Sequence, residues 1–158
     1  MNAAPLLNSV VAALAEARLE AILIGNAAAA IHGAPVTTLD FDFMFRATRT
    51  NLGKLKRFAR QLDAVILRPY YPVSKLYRVV NEERGLQVDF MAAIHGIKSF
   101  NSLRSRAQSM EFARQRLWVA DLADIIVSKR ATGRPRDRAV LEILERTLYE
   151  TTKAQPPR

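Results

Sequence analysis

The sequence predicts an α+β fold: a small β-sheet flanked by helices, with further helices at the C-terminal end. Three patterns carry this. The run Leu39-Asp40-Phe41-Asp42-Phe43-Met44-Phe45 is short, aromatic and alternating, which is how a half-buried strand reads. Leu76–Val80 and Leu86–Met91 are apolar runs joined by Asn81-Glu82-Glu83-Arg84-Gly85, a connection of ordinary hairpin length that contains glycine. Helical patterns at both ends bracket these strands.

The elements follow in order. Leu6, Leu7, Val10, Val11, Leu14 and Ala17 form one apolar stripe, predicting a helix from Pro5 to about Leu19. Ala21–Ile24 reads as a buried strand ending in Gly25-Asn26, followed by a short alanine-rich helix stopped at Gly33. After the acidic strand, Arg46–Asn51 reads as a basic loop with a helix cap, and Leu52–Leu62 as an amphipathic helix. Lys54, Lys56, Arg57 and Arg60 mark its basic side, read as a solvated face. Ala64–Leu67 is a short strand before a loop bearing Pro69, Tyr70, Tyr71 and Pro72. Ser99–Phe112 is predicted helical and Arg116–Ala120 a strand. Two helices follow, Asp121–Arg130 and Arg136–Tyr149, broken at Gly133 and Pro135. Residues 1–150 are expected to make a single domain, and 151–158 a disordered tail.

The chemistry lies in the acids. Side chains alternate along a strand, so Asp40 and Asp42 leave one face while Leu39, Phe41, Phe43 and Phe45 leave the other. Two carboxylates held that close repel each other and raise each other's pKa unless a cation intervenes. A hard divalent ion with oxygen ligands suits such a pair. Asp89 stands alone among apolar neighbours on the later strand, a weaker signal by itself. Gly25-Asn26 feeds a helix N-terminus, where free backbone N–H groups can receive a phosphate.

Together Gly25-Asn26, Asp40, Asp42 and Asp89 resemble the DNA polymerase β-like nucleotidyltransferase superfamily. The segment Asp124–Asp137, with Lys129, Arg134 and Asp137 in order, is similar to one found in AbiEii-type and MenT-like toxin nucleotidyltransferases. The matching blocks run from about Ile22 to Leu144, most of the chain. One departure is Asn26, standing where the family usually has Gly or Ser. The resemblance implies a small mixed sheet of the nucleotidyltransferase fold and transfer of a nucleoside monophosphate from a nucleoside triphosphate to an acceptor hydroxyl. It implies magnesium, replaceable by manganese, on Asp40 and Asp42, with Asp89 joining a second ion and helping to deprotonate the acceptor. Gly25 and Asn26 would hold the triphosphate. Lys129 would neutralise its charge, and Arg134 and Asp137 complete that block, Asp137 as an orienting partner for Lys129 or Arg134.

Bulk properties set the frame. The chain has 158 residues, 49% hydrophobic and 25% charged, which are globular values. The absence of cysteine excludes disulfides, cysteine-based zinc sites and thiol catalysis. His32 and His95 read as structural or exposed. No secretion signal or membrane-length apolar run is visible, so the cytoplasm is the expected location and no membrane partner is expected. Lys+Arg 24 against Asp+Glu 15 gives a formal charge of +9, a field that attracts polyanions.

The leading functional expectation is therefore a toxin nucleotidyltransferase acting on RNA, most simply the 3′ end of tRNA, beside an antitoxin protein. A small-molecule (antibiotic) nucleotidyltransferase is the alternative, although Glu82 and Glu83 offer few acids for a cationic drug. A catalytically silent nucleotide- or RNA-binding module is the third reading.

Overall fold

The computed structural model describes residues 4–38, 40–67 and 76–154. Helix α1 (Ala4–Ala17) leads into strand β1 (Ala21–Ile24) and the short helix α2 (Gly25–Ile31). Strand β2 (Phe41–Phe45), helix α3 (Arg49–Gln61) and strand β3 (Val65–Leu67) follow. The hairpin β4 (Leu76–Asn81) and β5 (Leu86–Met91) precedes helix α4 (Phe100–Arg106). A second hairpin, β6 (Gln108–Phe112) and β7 (Gln115–Val119), leads into helices α5 (Leu122–Thr132) and α6 (Pro135–Ala154).

The strands form one mixed sheet in the order β3-β4-β5-β2-β1-β7-β6. β2 runs parallel to β5 and β1 parallel to β7, while the remaining pairs are antiparallel. Residues paired across strands share a face, so the alternation in β2 propagates through the sheet. Phe41, Phe43 and Phe45 leave one face beside Val88 and Phe90, all buried. Phe90 stacks on Phe43 with centroids 5.4 Å apart and meets Phe58 of α3 edge-on at 5.1 Å. Each such aromatic, fully buried, contributes about 1.5–3 kcal/mol from area alone. Helix α3 therefore covers the phenylalanine face, with α1 packed beside it. The opposite face carries Asp42 and Asp89 and is met by α2, which in turn packs on α5.

Several expectations need correction. Asp40 lies just before β2 rather than within it, because the ladder with β1 begins at Asp42 and that with β5 at Phe41. The helix expected over Ser99–Phe112 ends at Arg106, and Gln108–Phe112 is strand β6. The hairpin to β7 turns at Ala113 and Arg114, with φ of 49° and 66°. Such turns normally advertise themselves with Asn or Gly, and here neither residue is present. Helix α3 starts at Arg49, three residues before the expected Leu52, because Thr48 caps it, accepting from Asn51 N at 3.1 Å. Helix α6 continues through the expected tail to Ala154. Leu39, the loop of Pro69, Tyr70, Tyr71 and Pro72, and residues 155–158 lie outside the described residues. Among the described residues no helix is long and apolar enough to cross a membrane.

Candidate active site

The pairing of β2 with β5 builds the centre. Asp42 and Asp89 are register partners on adjacent parallel strands, so both carboxyl groups leave the same face at the same level. Asp89 is buried at 6% exposure, and Asp42 is partly buried. Asp40, exposed, stands two residues before Asp42 at the same end of the sheet. Burial, then Asp89, then Asp40 push the Asp42 carboxyl up to about 6 from 3.8, against the pull of Lys129 and Arg78. This is the signature of like charges crowded in a part-dry site.

The end of β1 brings backbone against this group. Ile24 pairs with Asp42, and the chain then turns directly into α2 at Gly25, whose φ is +70°. A Cβ there would sit 2.9 Å from Asp42 Oδ2. Only glycine fits both the conformation and the space. No side chain caps α2, so its first-turn N–H groups lack a side-chain acceptor. Beside them, Asn26 Oδ1 is buried without a hydrogen-bond partner among the described residues. A half-turn of that amide offers its N–H₂ to the same space, so the position can donate or accept.

The break at Gly133 folds α6 back so that Asp137 reaches α5. Asp137, 4% exposed, accepts from Arg134 Nε at 2.9 Å and lies 3.7 Å from Lys129 Nζ. Burial lowers the Lys129 pKa, with Asp137 and Asp42 opposing and Arg134 assisting. Lys129 thus senses the acidic pair, and the helix break joins the two blocks of the sequence at one site.

Arg78 is the residue missed by reading the sequence. It pairs with Asp89 across β4 and β5, donating from Nε to Oδ1 at 2.9 Å and from Nη2 to Oδ2 at 3.2 Å. Gln87 Nε2 adds a weaker contact to Oδ2 at 3.4 Å. The deciding feature is register: Asn81 pairs with Leu86, so the connection is four residues and residue 78 falls opposite residue 89, whereas the five-residue connection read from the sequence would set it opposite Val88. Both Asp89 oxygens are thus engaged by protein, and among the described residues no three acid or imidazole groups form a ready metal cluster.

Two further placements bound the site. Val65 and Leu67 share the face of Arg78 and are 60% and 48% exposed, leaving an apolar strip of sheet beside the acids. A cavity of about 460 Å³ lies between the far end of α2 and α6, lined by residues including His32, Pro35, Ile143 and Thr147. It contains none of the acids above. His32 is structural, its Nε2 2.7 Å from the Ala120 carbonyl oxygen at the end of β7.

Neither a protein-family model nor a curated protein sequence matches the chain. Solved structures do. The antibiotic-resistance factor ANT(2'')-Ia in solution is 13% identical with a TM-score of 0.64, covering 92% of this chain and 83% of its own. Its crystal structure in complex with adenylyl-2''-tobramycin is 16% identical, TM-score 0.62, covering 95% and 92%. A Thermotoga maritima protein assigned as a nucleotidyltransferase is 15% identical, TM-score 0.57, covering 92% of each chain. At these identities the likeness is one of architecture: the mixed sheet and its helices are the nucleotidyltransferase fold.

Proposed function

We propose that this protein transfers a nucleoside monophosphate from a nucleoside triphosphate to an acceptor hydroxyl, releasing pyrophosphate. The observation that carries it is the pairing of Asp42 with Asp89 on adjacent strands, directly beside the Gly25 corner. The acceptor is RNA, most simply the 3′ end of tRNA, and the setting a toxin controlled by an antitoxin. The net charge of +9 and the scarcity of acids on the apolar strip beside the site support RNA over a cationic drug.

A divalent ion fits the donor set, which is all carboxylate oxygen, and would relieve the repulsion that lifts Asp42. Asp40 and Asp42 would hold magnesium or manganese, and Asp89 would join them once Arg78 yields one of its oxygens. When bound, the ion supplies charge neutralisation on the transferring phosphoryl group and lowers the pKa of the acceptor hydroxyl. The chain's own groups do the rest. The first-turn N–H groups at Gly25 and the Asn26 amide bind phosphate oxygens. Lys129, held by Asp137, neutralises the triphosphate. Arg134 shares that anchor and reaches the leaving pyrophosphate. Asp89 accepts the proton of the acceptor hydroxyl, and Arg78 balances its charge and fixes its orientation.

The test is incubation with each labelled triphosphate, magnesium and total tRNA, alongside a panel of aminoglycosides and lincosamides. Label in tRNA that disappears with Asp42→Asn is the expected result. Label in a drug but not in RNA would replace the acceptor. No transfer to any acceptor, from folded protein, would leave only a binding module.

A further inference from the structure

Helix α3 is electrostatically unlike its neighbours. It carries Arg49, Lys54, Lys56, Arg57 and Arg60 and no acid, five of the positive charges behind a net +9. Helix α6, by contrast, is balanced: Arg136, Arg138, Arg146 and Lys153 stand against Asp137, Glu142, Glu145 and Glu150. Among the described residues none of the five α3 cations takes part in an ion pair, whereas α4 and α5 set cations against acids: Arg104 with Glu20, Arg106 with Asp124, Lys129 with Asp137 and Arg130 with Glu145.

A merely solvated face has no reason to be built this way. Lys54 and Arg57, Arg57 and Arg60, and Lys56 and Arg60 are like-charge neighbours three or four residues apart, which destabilises a helix. Arg49 sits in the first turn, where the helix dipole disfavours a cation. At 3.6 residues per turn Arg49, Lys56 and Arg60 fall within about 40° of one line, roughly 10 and 6 Å apart along the axis. Arg57 flanks that line. All four are exposed, while Leu55, Phe58 and Ala59 are buried against the sheet.

We infer that the outward face of α3 docks the phosphate backbone of an RNA stem. The inference rests on the RNA reading of the acceptor and deepens it by giving the body of that RNA its own surface. A line of unpaired cations matches a line of phosphates and would be relieved of its self-repulsion by them. An anionic membrane is the poorer partner, because the apolar side of α3 is already committed to the core and nothing remains to insert. Because α3 covers the phenylalanine face, the stem is held on the side opposite Asp42. Its single-stranded end must round the sheet edge at β3 to reach the acids.

The experiment is direct binding of a fluorescein-labelled RNA duplex bearing a short 3′ overhang, followed by anisotropy across a salt series. The variant is Lys56→Gln/Arg57→Gln/Arg60→Gln, with Arg146→Gln/Lys153→Gln on α6 as the matched control. The α3 variant should bind at least 10-fold more weakly, with the log–log salt slope shallower by about 2–3, since each lost phosphate contact removes nearly one. The α6 control and Asp42→Asn should bind like wild type. Unchanged affinity and slope in the α3 variant would overturn the proposal. So would tighter binding of vesicles rich in phosphatidylserine than of RNA, or equal loss in the α6 control. RNA binding weakened in the α3 variant but intact in Asp42→Asn, whose transfer is abolished, separates this surface from the chemistry. Intact RNA docking with no transfer in wild type would sink the enzymatic reading and leave the surface standing.

Discussion

Arg78 grips Asp89 with two hydrogen bonds, so the most buried carboxylate of the acidic group is neutralised by protein rather than left open. The two residues face each other across an antiparallel pair, and the hydrogen bond to Asp89 raises the Arg78 pKa further above its ordinary value. A guanidinium in that position occupies both Asp89 oxygens, for which a divalent ion would have to compete. It keeps three acids compatible with folding before any ligand arrives.

Arg78→Gln should therefore lower stability in the presence of EDTA by about 1–3 kcal/mol, since it strips a charged partner from a buried carboxylate. The loss stays below that of a fully buried pair because the Arg78 side chain is 41% exposed. Magnesium or manganese should restore more stability to the variant than it adds to wild type. Urea denaturation with and without the ion reads this out, and an equal ion effect in both proteins would show that Arg78 and the metal do not compete.

The pH dependence follows from Asp42. Its carboxyl holds a proton more tightly in the folded chain, at about 6, than when unfolded, near 3.8. The folded state of the metal-free protein thus loses stability as pH rises from about 4 through 6, and the loss is complete above that range. It amounts to at most about 3 kcal/mol. In EDTA at pH 8, Asp42→Asn should be more stable than wild type, and should be unaffected by magnesium. Magnesium should bind wild type progressively more weakly as pH falls below about 6. A flat difference between the two proteins from pH 4 to 8 would contradict the crowding of charge at this position.

Gly25→Ala places a methyl 2.9 Å from Asp42 Oδ2 on a backbone with φ +70°. The backbone alone costs about 1–2 kcal/mol. Gly33→Ala, at φ +98° with open space around it, incurs a similar backbone cost and serves as the comparison. Triphosphate binding, measured by titration calorimetry, should fall at least 10-fold in Gly25→Ala and hardly at all in Gly33→Ala. Equal losses would mean that the corner serves folding only.

Asp137→Asn removes the charge that anchors Lys129 and Arg134. Lys129, already lowered by burial, should titrate lower still without its largest opposing partner. The KM for triphosphate should rise about 10-fold at pH 7, and by more at pH 9 as Lys129 loses its proton. The KM for the acceptor should move little. A rise confined to the acceptor would place Lys129 elsewhere in the reaction.

Much of this site was legible along the chain because it is written in local patterns. The alternation of Phe41, Phe43 and Phe45 with Asp42 is dictated by the two-residue period of a strand, whatever the strand pairs with. The corner at Gly25 and the helix break at Gly133 announce themselves through glycine. The hairpin at Ala113-Arg114 did not, since its left-handed residues are ones that rarely adopt that conformation.

From sequence alone came the acids, the glycine corner, the helix order and the excess of positive charge, all properties of single segments. Only the tertiary structure decided that Asp89 lies level with Asp42, that Arg78 closes on it, and that Asp137 gathers Lys129 and Arg134. It also decided that, among the described residues, the α3 cations find no acid. Each of these depends on strand register or on the packing of one helix against another. Those are set by contacts between residues far apart in the chain, whose energies no local pattern contains.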